Sequence, residues 1–108
     1  MSANTRTYRA GDELPYLIYE MKDSSGNLLD LSSGWTFTTV VTPVTSSTAS
    51  FTKTTGFTGA STTPNLTVEW TSSDLGALTA GTYRCVTTAR RASDSKDRSA
   101  PEVILVIT

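Results

Sequence analysis

The chain has no histidine. That removes the commonest general base near neutral pH, the commonest nitrogen ligand for a metal, and the base that activates a serine or cysteine nucleophile. Carboxylates are what remains for acid–base work. Asp12 and Glu13 are neighbours in a turn and point apart. Asp94 and Asp97 fall beside Lys96 and Arg98, the composition of a solvated charged loop. Asp23, Asn27 and Asp30 gather around a hairpin and offer oxygen ligands of the kind calcium takes. Their spacing does not match an EF-hand loop, and Asp and Asn are ordinary turn formers. Cys85 is the single cysteine, so no internal disulfide forms. Its inward strand position suits a small buried apolar side chain better than a reactive thiol. Asn65-Leu66-Thr67 fits the glycosylation triplet, a pattern that arises by chance in a threonine-rich chain. No glycine-rich phosphate loop opens a helix. The expectation is a protein that is not an enzyme and holds no cofactor or metal.

Binding chemistry is the alternative to catalysis. Arg84, Arg90, Arg91, Lys96 and Arg98 fall near one hairpin, where Asp94 and Asp97 cancel part of their charge. That is either a basic rim for an acidic protein partner or a solvated hairpin. A net charge of −1 gives no field to recruit nucleic acid or an anionic membrane. The first residues lack the apolar core of a secretory signal, and no apolar run approaches the roughly 20 residues of a membrane span. The chain reads as one made in the cytoplasm without a signal of its own. Serine and threonine supply about a third of the residues, and charged side chains only 18%, so the surface is coated with hydroxyls more than with ions.

The elements that must carry these groups are short strands. In Leu66–Trp70, Leu66, Val68 and Trp70 share one face; in the run to Arg90, Tyr83, Cys85, Thr87 and Ala89 do the same. Period two is the mark of a strand with one dry side. Between them Thr71 stands three residues before Asp74, a capping-box spacing, and Leu75 and Leu78 follow as apolar plugs. Earlier, Leu14–Lys22 alternates with Leu17, Tyr19 and Met21 on one side, and Asp23–Asn27 is a hairpin turn leading to a short partner at Leu28–Leu31. Trp35–Thr42 is a strand with Trp35, Phe37, Thr39 and Val41 on one face. Val44–Ser50 is a loop, Phe51–Thr55 a short edge strand, Gly56–Pro64 a polar connection, and Ala92–Ser99 a charged hairpin loop. Both tryptophans fall on inward faces.

The closing run Val103, Ile104, Leu105, Val106, Ile107 is apolar on both faces. A half-exposed strand alternates, so this one is either covered on both sides or meets another subunit. With turn signals every 8 to 12 residues or so, the fold class is an all-β, immunoglobulin-like antiparallel sandwich of seven to eight strands with one short helical turn. Tyr83, after Ala80-Gly81-Thr82, sits where such sandwiches tie a corner with a tyrosine. Residues 1–6 read as a flexible arm and residues 7–108 as the single domain.

Three segments in order carry a resemblance: Gly11-Asp12-Glu13-Leu14-Pro15 with the strand and Asp23–Gly34 turn after it; Trp70-Thr71-Ser72-Ser73-Asp74-Leu75 before Ala80-Gly81-Thr82-Tyr83-Arg84; and the apolar closing strand. Together they resemble the immunoglobulin-like domain at the N-terminus of the phage baseplate upper protein, found also in small tailed-phage virion proteins. The resemblance implies a non-catalytic structural sandwich in a virion, on the tail, baseplate, neck or capsid. It implies docking on other virion proteins in a symmetric assembly, with self-association as an option. Because the chain ends with the domain, it implies a docked subunit and not a full adaptor. The expected contacts are Val103, Ile104, Leu105, Val106 and Ile107, whose strand edge can pair with a neighbour's, the N-terminal arm, and Arg90, Arg91 and Arg98 of the hairpin. The competing reading is a carbohydrate or host-surface binding module using Trp35, Trp70 and the tyrosines.

Overall fold

The β-branched runs become strands that stack in two layers. The computed structural model describes residues 4–13 and 15–108. In chain order the strands are β1 (Asn4–Tyr8), β2 (Leu17–Tyr19), β3 (Trp35–Pro43), β4 (Phe51–Lys53), β5 (Phe57–Gly59), β6 (Leu66–Val68), β7 (Gly81–Arg91), β8 (Lys96–Ser99) and β9 (Val103–Ile107); one short helix, α1 (Ser72–Gly76), joins β6 to β7. The larger sheet runs β1-β9-β7-β3-β4, with β8 extending β7 as a hairpin, and the smaller runs β2-β6-β5. Every strand pair is antiparallel except β1 with β9, which is parallel from Asn4 opposite Val103 to Tyr8 opposite Ile107.

The alternating faces meet as read. Leu17, Tyr19 and Met21 from one layer close on Val41, Tyr83, Cys85, Ala89, Val103, Leu105 and Ile107 from the other. Each large apolar side chain buried this way contributes about 1.5–3 kcal/mol. Polar groups inside are paired. The Tyr19 hydroxyl lies 3.3 Å from the Thr87 hydroxyl, which lies 2.8 Å from that of Thr39. The Trp70 indole N–H donates to the Tyr8 hydroxyl at 3.2 Å, and that hydroxyl donates to the Pro15 carbonyl at 2.6 Å.

The capping box at α1 is formed. The Asp74 amide donates to the Thr71 hydroxyl, and the Thr71 amide donates to Asp74 Oδ2 at 2.8 Å. Leu75 and Leu78 are buried beneath it. The Tyr83 hydroxyl donates to the Thr79 carbonyl at 2.7 Å. That bond is the tyrosine corner, and with the strand order it makes the sandwich immunoglobulin-like.

Several boundaries move. The described residues form nine strands, because β5 lies inside the stretch read as a polar connection and β8 inside the hairpin read as a loop. The first strand starts at Asn4, so residues 4–6 belong to the sheet. Parallel pairing with β9 gives their amides and carbonyls partners that a free arm lacks. Residues 1–3 and Leu14 lie outside the described residues. Leu28–Leu31 is not a strand; a single bridge links Leu28 to Lys22. The buried Asn65 takes over instead, its Oδ1 accepting from the Met21 amide and its Nδ2 donating to the Met21 and Leu29 carbonyls. Gly59 packs so closely on this segment that a Cβ there would stand 1.9 Å from the Leu31 carbonyl oxygen.

Candidate docking surfaces

The closing strand divides as its alternation requires. Val103, Leu105 and Ile107 face the core and are buried; Ile104 and Val106 face outward and are half-buried. Both edges of β9 are occupied, one by β1 and the other by β7. Its backbone is therefore not free to pair with a neighbouring chain, and what it can offer a partner is a face. β1 fills one of these edges, and residues 4–6, expected to form an arm, are part of it.

Register sets the neighbours of Ile104 and Val106. Ile104 stands opposite Arg84 and Thr5, and Val106 opposite Thr82 and Thr7. One step along β7, Val86 stands opposite Val40 of β3, and Val40 opposite Thr52. The outer face of the larger sheet is thus a stripe of four half-buried aliphatic side chains set among threonines. A shallow hollow of about 320 Å³ opens beside Val40 and Val86, with Arg84 and Glu102 on its rim. Arg84 donates to the Ser46 carbonyl at 3.0 Å.

The basic hairpin is largely self-neutralised. Arg90 makes two bonds to Asp97, at 2.7 and 3.1 Å, and Arg91 two to Asp94, at 3.1 and 2.7 Å. Hydrogen bonds from these guanidiniums hold both carboxyls below the usual carboxylate range. Arg98 donates to the Lys22 carbonyl. Among the described residues, Lys96 and Arg98 have no carboxylate within ion-pair distance.

The other candidate groups are spent locally. The Asp23 carboxylate accepts from the Ser25 and Asn27 amides, both at 2.9 Å, and Asp30 accepts from Ser32, as turn residues do. Among the described residues no three carboxylates or cysteines converge as a metal site, and no helix is long and apolar enough to cross a membrane. Asn65 Nδ2, the atom a glycan would take, is buried and donates to two carbonyls.

The two tryptophans part company. Trp70 is buried, as read, but Trp35 is half-buried at one end of the sandwich. Beyond Lys53 the chain leaves the larger sheet to form β5, and this end of β3 loses its cover. A groove of about 580 Å³ results, walled by residues 35–38 of β3 and residues 54–57 of the crossover. In it the Phe37 and Phe57 rings meet at 5.7 Å, and the Arg91 guanidinium stands 5.9 Å from the Trp35 ring centre. No protein-family model, curated protein or solved structure matches the chain.

Proposed function

We propose that this chain is a non-catalytic structural subunit of a tailed-phage particle, docking on other virion proteins through the outer face of its larger sheet. The observation that carries the reading is the aliphatic stripe. Val106, Ile104, Val86 and Val40 lie on one sheet face with few charges among them, the composition of an interface centre more than of a wetted surface. The segments resembling phage immunoglobulin-like domains supply the particle. Many copies on a symmetric shell or tube let a patch of modest affinity hold well.

Sedimentation tests it. The purified protein is mixed with particles of the phage whose structural genes neighbour its own. Wild type is expected to pellet with the particle, and Ile104→Lys and Val106→Lys to stay in the supernatant while keeping the wild-type melting temperature. Wild type remaining free in the supernatant overturns the reading.

Carbohydrate binding is the second reading, favoured by the half-buried Trp35. Against it, Arg91 lies over the indole face that a sugar ring would stack on. Host glycans that shift the Trp35 emission would support it.

A further inference from the structure

β3 is paired unequally on its two edges. Along β7, every residue from Trp35 to Pro43 has a partner. Along β4, only Thr39, Val40 and Val41 do. Parity decides where the remaining backbone groups point. The Gly34 carbonyl accepts from the Ala92 amide and the Val44 amide donates to the Thr82 carbonyl, so even-numbered positions turn toward β7. Odd-numbered positions turn the other way, where the Val41 carbonyl accepts from the Ser50 amide at 2.7 Å. Trp35 and Phe37 therefore aim their amides and carbonyls past the end of β4 and into the groove. Among the described residues no backbone group meets them there.

Unpaired ladder groups are the template on which another strand adds. Here they come with side-chain subsites. Trp35 and Phe37 are half-buried on the inner face, and Phe57 closes the groove from the other layer. A strand laid along this edge would drop alternate side chains against these rings. Continuing the course of β4, it would run antiparallel to β3 and leave past Trp35 toward the β7–β8 hairpin. That is where Lys96 and Arg98 lack carboxylate partners. We propose that the Trp35–Thr38 edge of β3 is a strand-addition site for an extended peptide of a partner protein, with apolar side chains at alternate positions followed by an acidic residue. Such a peptide needs no phage particle, so its binding and the particle docking above succeed or fail separately.

The experiment selects random peptides of about eight residues, a strand's usual length, on the immobilised full chain. Winners are followed by amide hydrogen exchange. Selected peptides are expected to alternate apolar and polar residues, to carry a carboxylate near their C-terminal end, and to slow exchange of the Trp35 and Phe37 amides. N-methylation of the peptide amides facing β3 should weaken binding at least about tenfold, and N-methylation of the alternate amides should leave it unchanged. Lys96→Glu should weaken it with no change in melting temperature. Three results would overturn the proposal: winners that leave both amides unprotected, equal loss from both methylation patterns, or protection that rises with protein concentration alone and so assigns the edge to a second copy.

Discussion

Lys53 Nζ lies 2.7 Å from Asp74 Oδ2, with the lysine side chain 3% exposed and the aspartate 19%. The pair ties edge strand β4 to the helical turn on the far side of the sandwich, and the rings of Phe57 and Trp70 each stand 5.9 Å from the ammonium. The two partners are not equivalent. Asp74→Ala strands a buried ammonium and removes the α1 cap, so it should cost about 3–5 kcal/mol. Lys53→Met keeps the volume and leaves a carboxylate that still has the Thr71 amide and some water. It should cost well under half as much. Urea denaturation of both variants measures the asymmetry, and equal losses would show that the ammonium is not truly desolvated.

The same carboxyl sets an acid limit. Partial burial pushes Asp74 up, but the hydrogen bonds from Lys53 and the Thr71 amide, with the Lys53 charge, outweigh it and hold the group below its usual range. A group depressed in the folded state binds its proton more readily when unfolded. Its contribution is complete above the unfolded value, about 3.9, and is lost as pH falls through the lower folded value. Stability should therefore drop steadily below about pH 4, and less steeply in Asp74→Asn. Denaturation midpoints across acidic pH check this; parallel curves would place the acid sensitivity elsewhere.

Local patterns carried most of the fold. The alternation of Leu66, Val68 and Trp70, the Thr71–Asp74 spacing and the position of Tyr83 each rest on contacts within a few residues, and each stands where it was read. What escaped was set by distant pairing. β5 and β8 have three and four residues, too few for a period to show. β1 reaches back to Asn4, through residues expected to form an arm, because β9 lies beside it. Phe51–Thr55 reads only as a short edge strand; lysine is so rarely buried that nothing within it marks Lys53 as inward without sight of Asp74. The groove at Trp35 depends on where β4 stops pairing, which no spacing within β3 records.

Asn65 is the polar clamp of the smaller sheet. It is fully buried and satisfies three backbone groups of the Met21 and Leu29 segment. Asn65→Leu nearly preserves volume but orphans the Met21 amide and the Leu29 carbonyl, while the Met21 carbonyl keeps the Leu29 amide at 3.0 Å; each buried orphan costs about 1–3 kcal/mol. A loss of about 2 kcal/mol or more is expected by chemical denaturation. Tyr83→Phe removes the corner bond to the Thr79 carbonyl and a longer contact with the Thr79 hydroxyl at 3.3 Å, and should cost about 1 kcal/mol. A reversed order would mean that water replaces the amide in the clamp.

Cys85 offers a probe of the β7–β9 pair that needs no mutation. Its side chain is fully buried at the position opposite Val103. Burial, and then the charge of Glu102, push the thiol up to about 12. The reactive thiolate is therefore scarce and shielded at once, and a thiol reagent can reach it only after the two strands separate. Labelling at mildly alkaline pH should be slow in the folded protein and should accelerate with urea in step with global unfolding. Rapid labelling without denaturant would mean that β7 and β9 part locally. The outer-face stripe would then sit on a mobile seam, and Ile104 and Val106 could not act as a fixed docking surface.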